Sequence, residues 1–219
     1  METIRKSFAD ELNEMTQDIL KMGAVVEEML TGSVKALRQQ DPALADQIID
    51  RDDLVDNYNL IIEQRCLRLL ALQQPMARDL RTIAAALYII KDVERIGDYA
   101  LDIAKTARKL SSMEQVKPLV KIPKMAQMVQ SMLHESLQAF ANHDINVIEN
   151  VARDDDQVDA LYREVRDEMI ALVERDPRTA LQAVELVLAA RYLERIADHI
   201  TNVGERIAYM ELGEIRELH

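Results

Sequence analysis

Phe8, Leu12, Met15, Ile19, Met22, Val26 and Met29 recur at alternating steps of four and three. That spacing lays a single apolar seam along a helix, so the chain opens with a long amphipathic helix reaching about Gln40. Asp41-Pro42 then supplies an N-cap and a proline at the first helical position. The second predicted helix continues to about Gln73, where Gln74-Pro75 stops it, because a residue before proline is pushed out of helical backbone. A third spans 75–110. The stretch 111–123, with Pro118, Pro123 and mixed polarity, reads as the linker between two halves.

The second half repeats the first. A shift of 103 places Met22, Val26, Met29, Leu30, Ser33, Ala36 and Asp41 on Met125, Val129, Met132, Leu133, Ser136, Ala139 and Asp144. It also carries Asp52, Asp53, Val55 and Asp56 onto Asp155, Asp156, Val158 and Asp159. Beyond the second turn the register slips to 100, and Glu94-Arg95-Ile96 with Asp98 falls on Glu194-Arg195-Ile196 with Asp198. A loop absorbs a slip of that size. The expected fold is all-α: six long antiparallel helices in two tandem three-helix bundles, at 1–112 and 124–219, joined by 113–123. Helices of about 30 residues span about 45 Å, so each bundle is a rod. A single six-helix bundle with one shared core is the alternative.

Composition agrees. Five Gly and five Pro leave few tight turns, less than half the roughly 12% of an average chain. Eight aromatics and 11 Met favour helix packing over a sandwich or barrel. A net charge of −12 works against phosphate backbones and anionic lipid, so neither nucleic acid nor membrane insertion is expected. One cysteine rules out an intrachain disulfide. The first eight residues carry charge where a secretory signal needs an apolar stretch, and runs such as 82–90 and 125–134 are too short to span a bilayer. The expected location is cytoplasmic.

Candidate chemistry lies where acids interrupt the apolar seams. Helix two carries Ile48, Asp52, Val55, Asn59, Ile62, Cys66 and Leu69, and its repeat Val151, Asp155, Val158, Tyr162, Val165, Met169 and Leu172. On helix three the step after Ile83, Leu87 and Ile90 lands on Glu94, and after Ala183, Val187 and Ala190 on Glu194. A seam carboxylate is costly unless partnered. Asp52 and Asp56, then Glu94, Asp98 and Asp102, form ladders of step four, answered by Asp155 and Asp159, then Glu194, Asp198 and Asn202. Oxygen-only ladders suit iron, manganese, magnesium or calcium better than a dedicated zinc site. Equally, Lys91, Arg95, Arg191 and Arg195 stand close enough in sequence to turn the same acids into salt-bridged surface. Both readings stay open. Cys66 reads as core; His134, His143, His199 and His219 lack ligand spacing; no Glu-x-x-His pair, phosphate-cradling loop or serine elbow occurs. No catalytic constellation is visible, and the chain is read as a non-enzyme. The weighed alternatives are a metal-dependent hydrolase and a metal-storage bundle.

Asp79-Leu80-Arg81, the run 91–98 (Lys-Asp-Val-Glu-Arg-Ile-Gly-Asp) and the run 191–199 (Arg-Tyr-Leu-Glu-Arg-Ile-Ala-Asp-His) closely resemble the PhoU family. Arg51-Asp52-Asp53 through Asp56, Asp154 through Asp159, and Met22-Gly23 with Val26-Glu27 extend the resemblance over nearly the whole chain. Tyr99, Val93 and Ala197 depart from the usual histidine, leucine and glycine, and Asn202 answers Asp102 with one charge fewer. The resemblance implies a negative regulator of the bacterial phosphate regulon, acting at the phosphate ABC transporter. It implies as partners the transporter's ATPase subunit and the regulon's sensor histidine kinase, and a homodimer. It also implies metal on each bundle, as an iron cluster or as Mn, Mg or Zn, held by the ladder residues.

Overall fold

Long apolar seams in a chain poor in glycine and proline give helices and little else. The computed structural model describes residues 2–73, 75–117 and 119–214, the backbone alone for 2–7, 72 and 73, and among these no strand occurs. Helix α1 covers Glu2–Gln39, α2 Pro42–Ile49, α3 Asp52–Gln73 and α4 Ala77–Leu110; the second repeat supplies α5 Lys121–Asn142, α6 Val147–Arg175 and α7 Ala180–Leu212. A short 3-10 turn, Pro177–Thr179, leads into α7. His219 and Gln74 fall outside the described residues.

The start of α2 is as the sequence predicts: the Asp41 carboxylate accepts the Leu44 N–H at 3.0 Å, with Pro42 in the first turn. Both repeats end their first helix alike. Gln40 (φ 53°) and His143 (φ 57°) take the left-handed conformation, and the following Asp41 and Asp144 N–H groups reach back to Ala36 O (3.0 Å) and Ala139 O (2.9 Å).

Three boundaries differ from the pattern reading. The single helix expected over 41–73 is broken at Asp50 and Arg51. Gly32 explains part of this: a Cβ there would lie 2.4 Å from Ile48 Cδ1, so α2 sits against the α1 backbone, and Arg51 is tied to Glu28. Glu135 occupies the matching place in the second repeat, where α6 runs unbroken. Second, α5 begins at Lys121 and takes Pro123 into its first turn, where the missing N–H costs nothing. Third, segment 111–117 is pinned rather than loose. Gln40 Nε2 donates to Met113 O (2.6 Å), Gln182 Oε1 accepts the Val116 N–H (2.7 Å), and Gln182 Nε2 donates to Glu114 O (3.1 Å).

The two repeats lie side by side in antiparallel pairing. Along α4 and α7, Arg81 Nε donates to Met210 O (3.0 Å), Tyr99 stacks on Tyr192 (5.9 Å between ring centroids), and Lys109 pairs with Glu185. Helices α1 and α5 pair the same way, with His134 Nδ1 3.2 Å from Glu27 and Leu137 seated over Gly23. Thus α1, α4, α5 and α7 form the middle, while α3 flanks α1 and α4 and α6 flanks α5 and α7. Buried residues of both repeats make one continuous apolar cluster. The duplicated bundles and the shared core, posed as alternatives, coexist.

The duplication also inverts charge. In the first repeat Arg65 of α3 pairs with Glu14 and Asp18 of α1. At the positions 103 residues on, Glu168 of α6 pairs with Lys117 and, at 2.6 Å, Lys121. The ion pairs survive with opposite sign, as attraction requires only opposite charges.

Candidate acidic sites on the two repeats

Helices α3 and α4 run antiparallel, and so do α6 and α7, which puts the two acid ladders of each repeat on facing edges. In the first repeat Asn59 Nδ2 donates to Glu94 at 2.6 Å, and Lys91 lies 3.5 Å from Glu63 and 3.9 Å from Glu94. Asp98 is held by Arg95 (3.0 Å) and Asp102 by Lys105 (3.2 Å). Asp52 is half-buried, and burial, then Asp56 and Asp98, keep its carboxyl above the usual range. Asp56 is exposed one turn on.

The second repeat differs at one decisive position. Tyr162 stands where Asn59 stands in the first, so no amide reaches Glu194. Arg191 lies over the Tyr162 ring (5.6 Å) and pairs with one oxygen of Glu194. The other oxygen, Oε2, is buried without a hydrogen bond. Burial first, then Asp198 and Asp159, push the Glu194 carboxyl up to about 7 against the pull of Arg191 and Arg195. Asp198 pairs with Arg195 at 3.3 Å. Asp155 and Asp159 sit half-buried on α6.

The seam placement of Asp52, Asp155, Glu94 and Glu194 therefore agrees with the pattern reading; all four are partly or wholly withdrawn from water. Asn202 is placed elsewhere. It donates to Asp92 Oδ1 (3.2 Å) across to α4, beside His199 Nδ1 at 2.9 Å from the same oxygen. Under the 100-residue shift this is the mirror of Tyr192 packed near Tyr99 and Asp102. Asp92 and His199 thus fasten the repeats together, a role the ladder spacing does not reveal. Applying the 100-residue shift to Asp92 and Tyr192 together would have flagged the spot.

As a metal test, the donor chemistry fits a hard cation, but the conformers do not assemble one: among the described residues no group of three or more His, Cys, Asp or Glu side chains converges. Lysines and arginines hold several of these carboxylates instead. Cys66 is buried beside Met15, its Sγ 3.3 Å from the Met15 sulfur, and burial pushes its thiol up to about 12, as befits a core residue. Among the described residues no helix is long and apolar enough to cross a membrane.

The scaffold is a duplicated all-helical one that presents paired acidic edges. The chain belongs to the PhoU family: the PhoU domain matches it twice, over residues 19–107 and 122–207. It is 35% identical over 216 residues to the phosphate-specific transport system accessory protein PhoU homolog of Clostridium acetobutylicum, covering 98% of this chain and 99% of that one. With the homolog of Aquifex aeolicus it shares 39% over 205 residues, 94% of this chain and 93% of the other. The crystal structure of PhoU from Pseudomonas aeruginosa superposes with a TM-score of 0.90 at 35% identity, over 94% of this chain and all of that one. That of the phosphate transport system regulatory protein PhoU from Streptococcus pneumoniae gives 0.89 at 32% identity, over 95% of this chain and 99% of that one.

The raised Glu194 carboxyl makes stability depend on pH. Its neutral form is favoured in the fold, so its contribution is complete below about pH 4.5, the ordinary glutamate value, and is lost as pH rises through about 7. Glu194→Gln is neutral throughout. In chelator-treated protein its stability relative to wild type rises between about pH 5 and pH 8, by on the order of 1–3 kcal/mol. Denaturant melts across that range check this; a constant difference contradicts it.

Proposed function

We propose that the chain is an accessory regulator of phosphate-specific transport that acts in the cytoplasm as an adaptor. In this reading it joins the ATPase subunit of the phosphate ABC transporter to the sensor histidine kinase of the phosphate regulon, and holds that kinase off when phosphate is plentiful. The observation that carries the reading is the full-length match, through both repeats, to relatives named as accessory proteins of that transport system. The architecture supports it. The acids lie on open edges rather than in a water-excluding pocket, which suits protein docking better than catalysis. Self-association into a homodimer belongs to the same reading. Deleting the gene should leave phosphate-starvation genes on in high phosphate. Normal repression in the deletion strain contradicts the reading.

A second property, metal binding on each repeat, is supported by the crowding of like charge. Burial first, and then Asp56 and Asp98 around Asp52 and Asp198 and Asp159 around Glu194, raise the carboxyls of Asp52 and Glu194 above their ordinary range, and a bound cation would relieve the like-charge part of this. To hold it, Glu94, Asp98 and Asp102 in the first repeat would exchange Lys91, Arg95 and Lys105 for the ion, joined by Asp52 and Asp56. In the second, Glu194 and Asp198 would exchange Arg191 and Arg195, joined by Asp155 and Asp159. Elemental analysis of Asp52→Asn/Asp56→Asn protein, purified without chelator, should show less transition metal than wild type at unchanged thermal stability. Unchanged metal with a large loss of stability makes those carboxylates structural.

A further inference from the structure

Helix α3 is apolar on two sides. One side, with Val55, Ile62, Cys66 and Leu69, is buried against α1 and α4. On the other, Leu54, Leu60, Ile61 and Leu67 are 44%, 53%, 40% and 52% exposed. Leu60 and Leu67 are seven residues apart, as are Leu54 and Ile61, so they line up on one outward face. The fold does not require this. In the second repeat α6 takes the same place, and 103 residues on Leu54, Leu60 and Ile61 become Gln157, Arg163 and Glu164, all exposed. Gln64 and Ala71 likewise become Asp167 and Glu174, and Leu67 alone keeps an apolar match in Ile170. A polar surface serves the packing of α6 equally well, so the apolar surface of α3 points to something that covers it.

The order of residues along the face selects the occupant. An acid and a leucine, Asp53 and Leu54, open it, and a leucine and a cation, Leu67 and Arg68, close it. Between them the exposed amides Asn57 and Gln64 stand at equal distances from the centre, Leu60 and Ile61. Turned end for end, the face therefore meets its own complement: leucine toward leucine, amide toward amide, and acid toward cation at both ends. Laid parallel, it would set acid on acid and cation on cation. Arg68 holds Glu11 at 3.2 Å within the chain, yet its side chain stays 55% exposed. Beside the face, Glu63 is already answered by Lys91 at 3.5 Å. A different partner accounts for the leucines but not for an order that complements itself in reverse.

We propose that the outward face of α3 is the surface through which two copies of this chain pair, antiparallel and two-fold symmetric, about a point between Leu60 and Ile61. Leucines of one copy cover those of the other, and Asp53 of each lies toward the partner's Arg68. The face, residues 53–68, is about 24 Å long, at the small end of protein interfaces, so the dimer is a weak one. The inference rests on the self-association included in the reading above and gives it a surface.

Sedimentation velocity on the purified full chain in chelator, from about 1 to about 100 μM, is expected to show a monomer–dimer equilibrium. Leu54→Gln/Leu60→Arg/Ile61→Glu, which installs the α6 residues at the same places, should weaken it about tenfold at unchanged helical circular dichroism. Leu60→Arg alone serves if the triple variant fails to fold. Asp53→Arg and Arg68→Asp should each weaken the dimer about threefold, and an equimolar mixture of the two should restore it, because acid again lies toward cation at both ends. A chain that stays monomeric throughout overturns the proposal and leaves the face to a different protein. A dimer that the leucine variants leave within about twofold of wild type also overturns it, as do charge reversals that mixing does not rescue. So does a dimer dispersed by Ile170→Ser/Val184→Ser instead, since the contact then lies on the exposed apolar residues of α6 and α7. The assay needs neither transporter nor kinase, so it can fail while the regulatory reading stands, and the deletion strain can contradict that reading while the dimer stands.

Discussion

The antiparallel packing of α4 on α7 is the contact from which the rest follows. Both helices are apolar on several sides: Ile89, Val93, Ile96, Ala100 and Ile103 of α4, and Ala189, Leu193, Ile196, Ile200 and Val203 of α7, are fully buried. A helix apolar on more than one side has to be covered on more than one side. Within its own repeat α4 is covered by α1, α2 and α3, and α7 by α5 and α6; the remaining side of each is closed by the other. Separated, each repeat would open that side to water at about 25 cal/mol for every Å² exposed. Polar clamps fix the register of the seam: Arg81 on Met210 O, Asp92 between His199 and Asn202, and Lys109 on Glu185.

With the middle so occupied, α3 and α6 are covered on one side only and turn the other to solvent. Their outward edges are where a binding surface can form. Duplication gives each edge the same plan, and later substitution makes the two unequal. Asn59 satisfies Glu94, while Tyr162 leaves Glu194 with an orphaned buried oxygen and a carboxyl near neutrality. The carboxyls of the two faces therefore answer to pH differently.

Most of the architecture was legible in the sequence because helices report their buried side at fixed intervals. Val55, Asn59, Ile62, Cys66 and Leu69 are buried in the step predicted for them. The Asp41-Pro42 start, the repeat and the family resemblance read directly. What escaped depends on distance in three dimensions. The break at Asp50 and Arg51 turns on Gly32 meeting Ile48, and the firmness of 111–117 on Gln40 and Gln182, far away in sequence. The ladder spacing placed Asp52 and Glu194 correctly on their seams, yet it grouped Asn202 with them, although its amide is drawn across to Asp92. Step-four spacing says which residues share a face and nothing about which neighbour that face meets.

The central claim is that two duplicated bundles make one cooperative body through the α4–α7 seam. Differential scanning calorimetry tests it most directly. One transition whose calorimetric and van't Hoff enthalpies agree is the predicted result. Two resolved transitions, each keeping its own midpoint when a seam residue such as Leu193 is cut to Ala in one repeat, would show that the halves fold independently and would contradict it.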